Sequence, residues 1–134
     1  MIRYWLPVCL WAGFIFYLSS LSETPVPPLL ETPGLDKAAH LIEYTILALL
    51  LARALKNSES KWLSNQWVVL TMVGTILYGV TDEIHQYFVP LRQTDLYDLL
   101  FDSLGALIGQ RGWRRLSHWR EGRNCLAKLS TDHR

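Results

Sequence analysis

Apolar residues along the chain fall into four blocks that polar segments separate. The blocks span residues 2–21, 38–55, 66–81 and 96–110. In the first block, residues 4–21 carry no charged side chain, and a helix of that length crosses the hydrocarbon core of a bilayer at a rise of about 1.5 Å per residue. The pattern therefore predicts an all-α fold, a four-helix transmembrane bundle with short loops.

The distribution of charge decides between this fold and its alternatives. A soluble helical bundle is the alternative for the last three blocks, and a cleaved signal peptide is the alternative for the first, although residues 16–22 offer no small-x-small cleavage motif. If all four blocks cross the membrane, eleven of the thirteen Lys and Arg residues lie on one side and nine of the twelve acidic residues lie on the other. The positive-inside rule makes the basic side the cytoplasm. We therefore expect a protein of the cell (plasma or inner) membrane with both termini cytoplasmic.

Proline-rich and basic segments mark the remaining parts of the chain. Four prolines in residues 24–33 forbid a continuous helix and predict an extended external loop. The chain thus divides into a first transmembrane helix at residues 1–21, a Pro-rich outer loop at 22–34, a three-helix core at 35–110 and a basic cytoplasmic tail at 111–134. The tail is expected to contact anionic lipid headgroups, and no nucleic acid, because no nucleic-acid-binding fold accompanies its charge. Cys9 and Cys125 are not expected to form a disulfide.

Polar residues recur at helical spacing within the last three blocks. Steps of three, four and seven residues return to nearly the same side of an α-helix, and charges facing lipid are costly. The three stripes should therefore face one another at the outer ends of their helices, where Arg92 in the last loop joins them. The stripes are Asp36, His40, Glu43 and Tyr44; Thr75, Gly79, Asp82 and Gln86, flanked by Glu83 and His85; and Asp95, Asp98, Asp102, Gly105 and Gly109.

Three spaced motifs run through these helices. They are Asp36-Lys37-x-x-His40-x-x-x-Tyr44, Asp82-Glu83-x-x-Gln86-x-x-x-Pro90-x-Arg92 and Asp98-x-x-x-Asp102-x-x-Gly105-x-x-x-Gly109. In this order and spacing, over residues 36–109, they resemble the VanZ-like family of small multi-pass membrane proteins. The resemblance implies a link to resistance to the glycopeptide teicoplanin, without a settled biochemical activity. Asp102 departs from the family pattern, which more often has Asn there, and the extra acid could alter the local charge or the affinity for a metal.

The polar cluster has two functional interpretations. As an enzyme, it would act on a cell-envelope or lipid-linked, phosphate-bearing substrate, with Arg92 and Lys37 holding the phosphate. Asp82 and Glu83 would serve as base or as ligands of a divalent cation such as Mg²⁺, and His40 would shuttle protons or bind a softer metal. As an accessory protein, the same residues would bind a glycopeptide, a lipid headgroup or a protein partner without turnover.

A structural interpretation competes with both, in which acids and bases only neutralise one another and hold the helices together. It is favoured for Glu43 and His85 taken singly. Conduction of protons or ions is a further alternative. Four helices would need to assemble into a homo-oligomer to enclose a conduction path, so a homo-oligomer is an open possibility. The candidate catalytic or binding residues are Asp36, Lys37, His40, Tyr44, Asp82, Glu83, Gln86, Arg92, Asp98 and Asp102, of which His40, Asp82 and Glu83 are also the candidate metal ligands.

Single cysteines test the predicted orientation. In a background without Cys9 and Cys125, a membrane-impermeant thiol reagent added to intact cells should label Val26→Cys and leave Ser58→Cys unlabelled. The Lys and Arg residues of the loop between the second and third spans keep that loop in the cytoplasm, so only disruption of the cells should expose Ser58→Cys. Labelling in the opposite order would overturn the orientation.

Overall fold

The computed structural model describes residues 2–21, 34–90, 92 and 94–131, and within those ranges the secondary structure is all helical, which confirms the predicted all-α class for these residues. The Pro-rich loop predicted at 22–34 lies outside the described residues apart from Gly34, as does the side chain of Cys125. The five helices are α1 (Ile2–Ser19), α2 (Leu35–Lys56), α3 (Lys61–Asn65), α4 (Trp67–Tyr87) and α5 (Leu96–Thr131).

Local sequence signals account for where the helices begin. Gly34 precedes α2 with a φ of 98°, a left-handed conformation that favours glycine, and Asp36 follows in the first turn of α2, where a carboxylate offsets the helix dipole. Ser60 caps α3 by accepting a hydrogen bond from the backbone N–H of Leu63. The hydrophobic pattern did not predict α3, because five residues are too few to show a helical period.

The ends of α4 and α5 define the loop that carries Arg92. Helix α4 ends at Tyr87, three residues before Pro90, and α5 begins at Leu96, where the fourth apolar block begins. Helix α5 continues to Thr131 without a break, so the predicted boundary between the core and the tail at residue 110 does not coincide with the end of a helix.

Helix α2 is the centre of the fold. It packs against α1, α3, α4 and α5, and its contact with α5 is the most extensive between any two helices of the described chain. Two contacts give the relative direction of α2 and α5: Lys37 donates to Asp98 and His40 bonds Asp102, so these two helices run parallel. Helices α1 and α4 run parallel to each other, because Ala12 contacts Tyr78 and Ser19 contacts Asp82. Helix α1 runs opposite to α2, because Tyr4 contacts Arg53 and Trp11 contacts Glu43.

Two glycines allow the close approach of α5 to α2. A Cβ atom on Gly105 would lie 2.7 Å from the carbonyl oxygen of Leu41, and one on Gly109 would meet the carbonyl oxygen of Thr45. Helix backbones this close are typical of small-x-x-x-small contacts between membrane helices. The pair is thus a packing feature.

Exposed apolar side chains form a row along each of α1, α4 and α5. Helices α1, α2 and α4 are long and apolar enough to cross a membrane, whereas α5, predicted to contain the fourth span, carries Asp98 and Asp102 in its first two turns and is not among them. The continuous exposed rows on α1, α4 and α5 favour a lipid environment over a soluble bundle. The exposed rows are spaced by four residues: Leu6, Leu10 and Phe14; Val69, Val73 and Leu77; Leu100, Leu104 and Ile108.

Substituting these glycines tests the close contact between α2 and α5. Gly105→Ala should lower the free energy of unfolding in detergent by about 1–3 kcal/mol, since backbone atoms leave no room for a methyl group. Gly112→Ala in the same helix meets nothing within 4 Å, so it should be neutral or stabilise by up to about 1 kcal/mol. Equal effects of the two substitutions would contradict the packing described.

Candidate functional site

The polar stripes meet at one end of the helix assembly. Helices α1 and α4 finish there and α2 and α5 begin there, so Ser19, Lys37, Gln86 and Asp98 all lie at this end, which we call the polar end. The opposite end holds Arg53, and we call it the basic end. The candidate residues lie in the first three turns of α2, the last two turns of α4 and the first two turns of α5, except Arg92, which lies in the loop between α4 and α5.

His40 and Asp102 form the most deeply buried ionisable pair at the polar end. A hydrogen bond of 3.0 Å joins His40 Nδ1 to Asp102 Oδ1, and both side chains are buried. The other carboxylate oxygen of Asp102 is also buried, and it has no hydrogen-bond partner among the described residues. Because Nδ1 is engaged, Nε2 is the ring nitrogen that His40 can offer to a ligand, an arrangement common for metal-binding histidines.

Lys37 lies at the outer edge of the same helix pair. Its ammonium group donates to Asp95 Oδ2 at 2.7 Å and to Asp98 Oδ1 at 3.0 Å, and it lies 3.5 Å from Asp36 Oδ2. The hydrogen bond from Lys37 lowers the pKa of Asp95, which lies outside the helices, below its ordinary value. Lys37 thus has three carboxylates around one positive charge.

Three residues from different helices present ligand atoms to one point. One atom each from His40, Glu83 and Asp98 lies within 4.8 Å of the other two, and we call this set the trio. Bonds of about 2.0–2.3 Å to a single cation require ligand atoms about 3–4 Å apart, so small side-chain rotations would close the trio around an ion. Glu83 Oε1 is buried and, within the described part of the chain, accepts no hydrogen bond.

Asp82 is held away from the trio. Its Oδ1 accepts a hydrogen bond from the Ser19 hydroxyl and its Oδ2 accepts one of 3.0 Å from Gln86 Nε2. All three side chains are buried. The structure therefore brings together two of the three candidate metal ligands, His40 and Glu83, with Asp98 as the third member, while Asp82 and Gln86 join α4 to α1.

Arg92 binds the C-terminal end of α1. Its guanidinium donates to the carbonyl oxygens of Leu18 at 3.0 Å and Leu21 at 3.3 Å, both near the negative end of the helix dipole. No described carboxylate lies within ion-pair distance of Arg92. Its positive charge remains available to a ligand at the polar end.

The remaining candidates differ in how far they face a ligand. Tyr44 is completely buried, stacks on the His40 ring at 6.1 Å between centroids, and leaves its hydroxyl without a hydrogen-bond partner among the described residues. Asp36 is mostly exposed. His85 bonds the Ser20 hydroxyl at 3.1 Å, which agrees with its structural interpretation.

Two cavities at the polar end are lined by residues of the trio. A small one of about 90 Å³ lies among α1, α2 and α4, where His40 and Arg92 share its wall with Asp36, Glu43 and Gln86. A larger groove of about 410 Å³ lies between α4 and α5, and Glu83 is the one charged residue among the described residues that line it. The other residues that line the groove are Val80, Ile84, Tyr87, Phe88, Thr94, Leu96 and Leu99.

Sequence reasoning missed two contributors to the polar end. Ser19 lies at the end of an otherwise apolar helix, and its hydrogen bond to Asp82 depends on how α1 packs, which periodicity does not reveal. Asp95 was placed in the stripe of α5 but not among the candidate residues, and its bond to Lys37 makes it part of the cluster. A signal for Asp95 was present, since it shares the spacing of Asp98 and Asp102.

A family model described as VanZ/LLP1 matches residues 4–116, which include α1, the whole polar end and the first part of α5 beyond residue 110. No curated protein and no solved structure matches the chain.

Proposed function

Because the chain belongs to the VanZ/LLP1 family, we propose that it is a membrane protein whose polar end faces outward and binds a phosphate-bearing, lipid-linked molecule of the cell envelope through a divalent cation. The match over residues 4–116 confirms the resemblance of the spaced motifs and extends it to α1. The link to teicoplanin resistance belongs to the family and comes to this chain only as part of this proposal.

The proposed orientation has four spans, with the fourth in residues 96–110 and both termini in the cytoplasm of a plasma or inner membrane. It is supported by the alternating directions of α1, α2, α4 and α5 and by the exposed apolar row that α5 presents. The concentration of Lys and Arg near the basic end supports the cytoplasmic placement of that end.

The trio is the observation that carries the proposal. Two carboxylates and one imidazole form a mixed oxygen and nitrogen ligand set of the kind that suits Mn²⁺ or Zn²⁺, while Mg²⁺ would rely more on the carboxylates. With Nε2 on the cation, His40 Nδ1–H would donate its hydrogen bond to Asp102 Oδ1, which orients the imidazole and raises its basicity as a ligand. When a cation takes Asp98, Lys37 keeps its shorter bond to Asp95.

Glu83 connects the proposed cation to the lipid-linked part of the ligand. It belongs to the trio and also lines the groove of about 410 Å³, whose remaining lining is largely apolar. A hydrocarbon chain in the groove would bring the phosphate attached to it next to the cation. The cation offsets the repulsion that Glu83 and Asp98 would otherwise exert on a phosphate, and Arg92 adds a second positive charge.

Binding without turnover is the form of the proposal that the geometry supports best. Asp82 and Glu83 were the residues expected to serve as base or as metal ligands. Both carboxylate oxygens of Asp82 already accept hydrogen bonds from Ser19 and Gln86, and Glu83 belongs to the trio. Hydrolysis or transfer of the phosphate is the second candidate, because a cation with three protein ligands keeps coordination positions open for a substrate and a water molecule.

Calorimetry with Mn²⁺ tests the cation site. His40→Ala, Glu83→Gln and Asp98→Asn should each weaken Mn²⁺ binding to the purified protein by about tenfold or more, since each removes one ligand. Glu43→Gln is the matched control, because Glu43 lies on the same stripe of α2 but outside the trio. Wild-type affinity in all three variants, or an equal loss in the control, would rule out the trio as the site.

A polyisoprenyl phosphate tests the groove. With Mn²⁺ present, Leu99→Trp should weaken saturable binding of this lipid about tenfold, because the indole fills the groove that Leu99 lines. Leu100→Trp, on the exposed face of α5, should bind as the wild type does. Equal binding by both variants would contradict the groove assignment. Release of inorganic phosphate that disappears in Asp98→Asn would identify turnover, whereas binding without release would identify the accessory role.

A further inference from the structure

We propose that the basic end contains a second binding site, a cavity that takes the phosphate group of an anionic ligand. The cavity has a volume of about 390 Å³ and lies among α1, α2 and α5, at the opposite end of these helices from the trio. It is independent of the proposed cation site. The residues that line it are Arg3, Tyr4, Arg53, Lys56, Asn57, Trp113, Ser117 and Arg120.

The charge of the lining indicates an anion. Among the described residues that line the cavity, four are cationic and none is acidic. Within the described part of the chain, no carboxylate forms an ion pair with any of these four residues. Like charges around one cavity repel one another, and a bound anion would relieve that repulsion.

Tyr4 arranges two of these cations in advance. Arg3 donates a hydrogen bond of 2.7 Å to the Tyr4 hydroxyl, and the guanidinium groups of Arg3 and Arg53 lie 4.7 and 5.2 Å from the centre of the Tyr4 ring. Contact with one aromatic ring limits the motion of both guanidinium groups. Their planar, fork-shaped donor sets match the oxygens of a phosphate.

Trp113 provides an independent indication of a ligand oxygen. Its side chain is 7% exposed and packs in the core with Ala52 and Leu55, while also lining the cavity. Its indole N–H is buried and finds no acceptor among the described residues. Because an indole can only donate, an oxygen of a ligand in the cavity would supply the missing acceptor.

The phosphate could belong to an anionic phospholipid or to a soluble molecule. Ile2 and Leu6 lie beside Arg3 on α1 and are strongly exposed, so acyl chains would have apolar surface next to the cavity. The chemistry recognised by the arginines is the same in both cases. Phosphatidylglycerol and inorganic phosphate, offered separately, distinguish the two sources.

The test measures ligand binding by intrinsic tryptophan fluorescence on the full-length protein in a neutral detergent. Phosphatidylglycerol, inorganic phosphate and the zwitterionic lipid phosphatidylcholine, which has no net charge, are each titrated. Saturable binding of phosphatidylglycerol alone supports a lipid phosphate as the ligand, and binding of inorganic phosphate supports a soluble one. No saturable binding of either anion would overturn the proposal.

Variants locate the binding. Arg53→Gln with Lys56→Gln should weaken binding at least tenfold, whereas Arg111→Gln with Arg115→Gln removes the same charge from exposed positions outside the cavity and should change it less than twofold. Equal weakening in both double variants would mean that only surface charge acts, and would overturn the site.

A milder change keeps the test decisive if the double variant fails to fold. Trp113→Phe keeps most of the buried packing but removes the indole N–H, so binding should weaken severalfold while the protein remains monodisperse. Because this change removes a tryptophan from the fluorescence signal, ligand binding to the Trp113→Phe variant is measured by equilibrium dialysis against radiolabelled ligand. Unchanged affinity in Trp113→Phe would contradict the role of the N–H.

Discussion

The close approach of α2 and α5 is the constraint on which the polar end depends. Gly105 and Gly109 lie on the same stripe of α5 as Asp98 and Asp102, and they allow the two backbones to touch. Because the helices run parallel at this distance, the carboxylates of α5 meet His40 of α2 and its neighbour Lys37 at hydrogen-bond distance. A larger residue at either glycine would push α5 away from α2. It would thereby separate the acidic side chains from their partners, although the acidic residues themselves are unchanged.

Charge is separated between the two ends, and at each end some of the described charged groups remain without a counter-charge. At the polar end, Glu83 and Asp102 each keep a buried carboxylate oxygen without a partner among the described residues. At the basic end, the cations around the cavity face no described carboxylate. The net charge of +1 conceals both imbalances. A cation at one end and a phosphate at the other are the ligands that would offset them.

Helical periodicity predicted much of this arrangement and failed where neighbouring helices decide. The stripes of α2, α4 and α5 follow from spacing, and so does their meeting at one end. Spacing does not reveal which side chain a given carboxylate contacts. Asp82 was expected to be a candidate metal ligand with His40 and Glu83, but it bonds Ser19 of α1. Arg92 likewise binds carbonyl oxygens of α1, a contact that depends on the fold of the loop after α4.

Pulsed electron paramagnetic resonance of bound Mn²⁺ tests the central claim most directly, because it detects nitrogen coordinated to the metal. In the full-length protein in lipid nanodiscs, we expect a nitrogen coupling that is lost in His40→Phe and kept in His85→Phe, since His85 lies at the same end but outside the trio. Absence of bound Mn²⁺, or a coupling that persists in His40→Phe, would contradict a cation held by His40, Glu83 and Asp98.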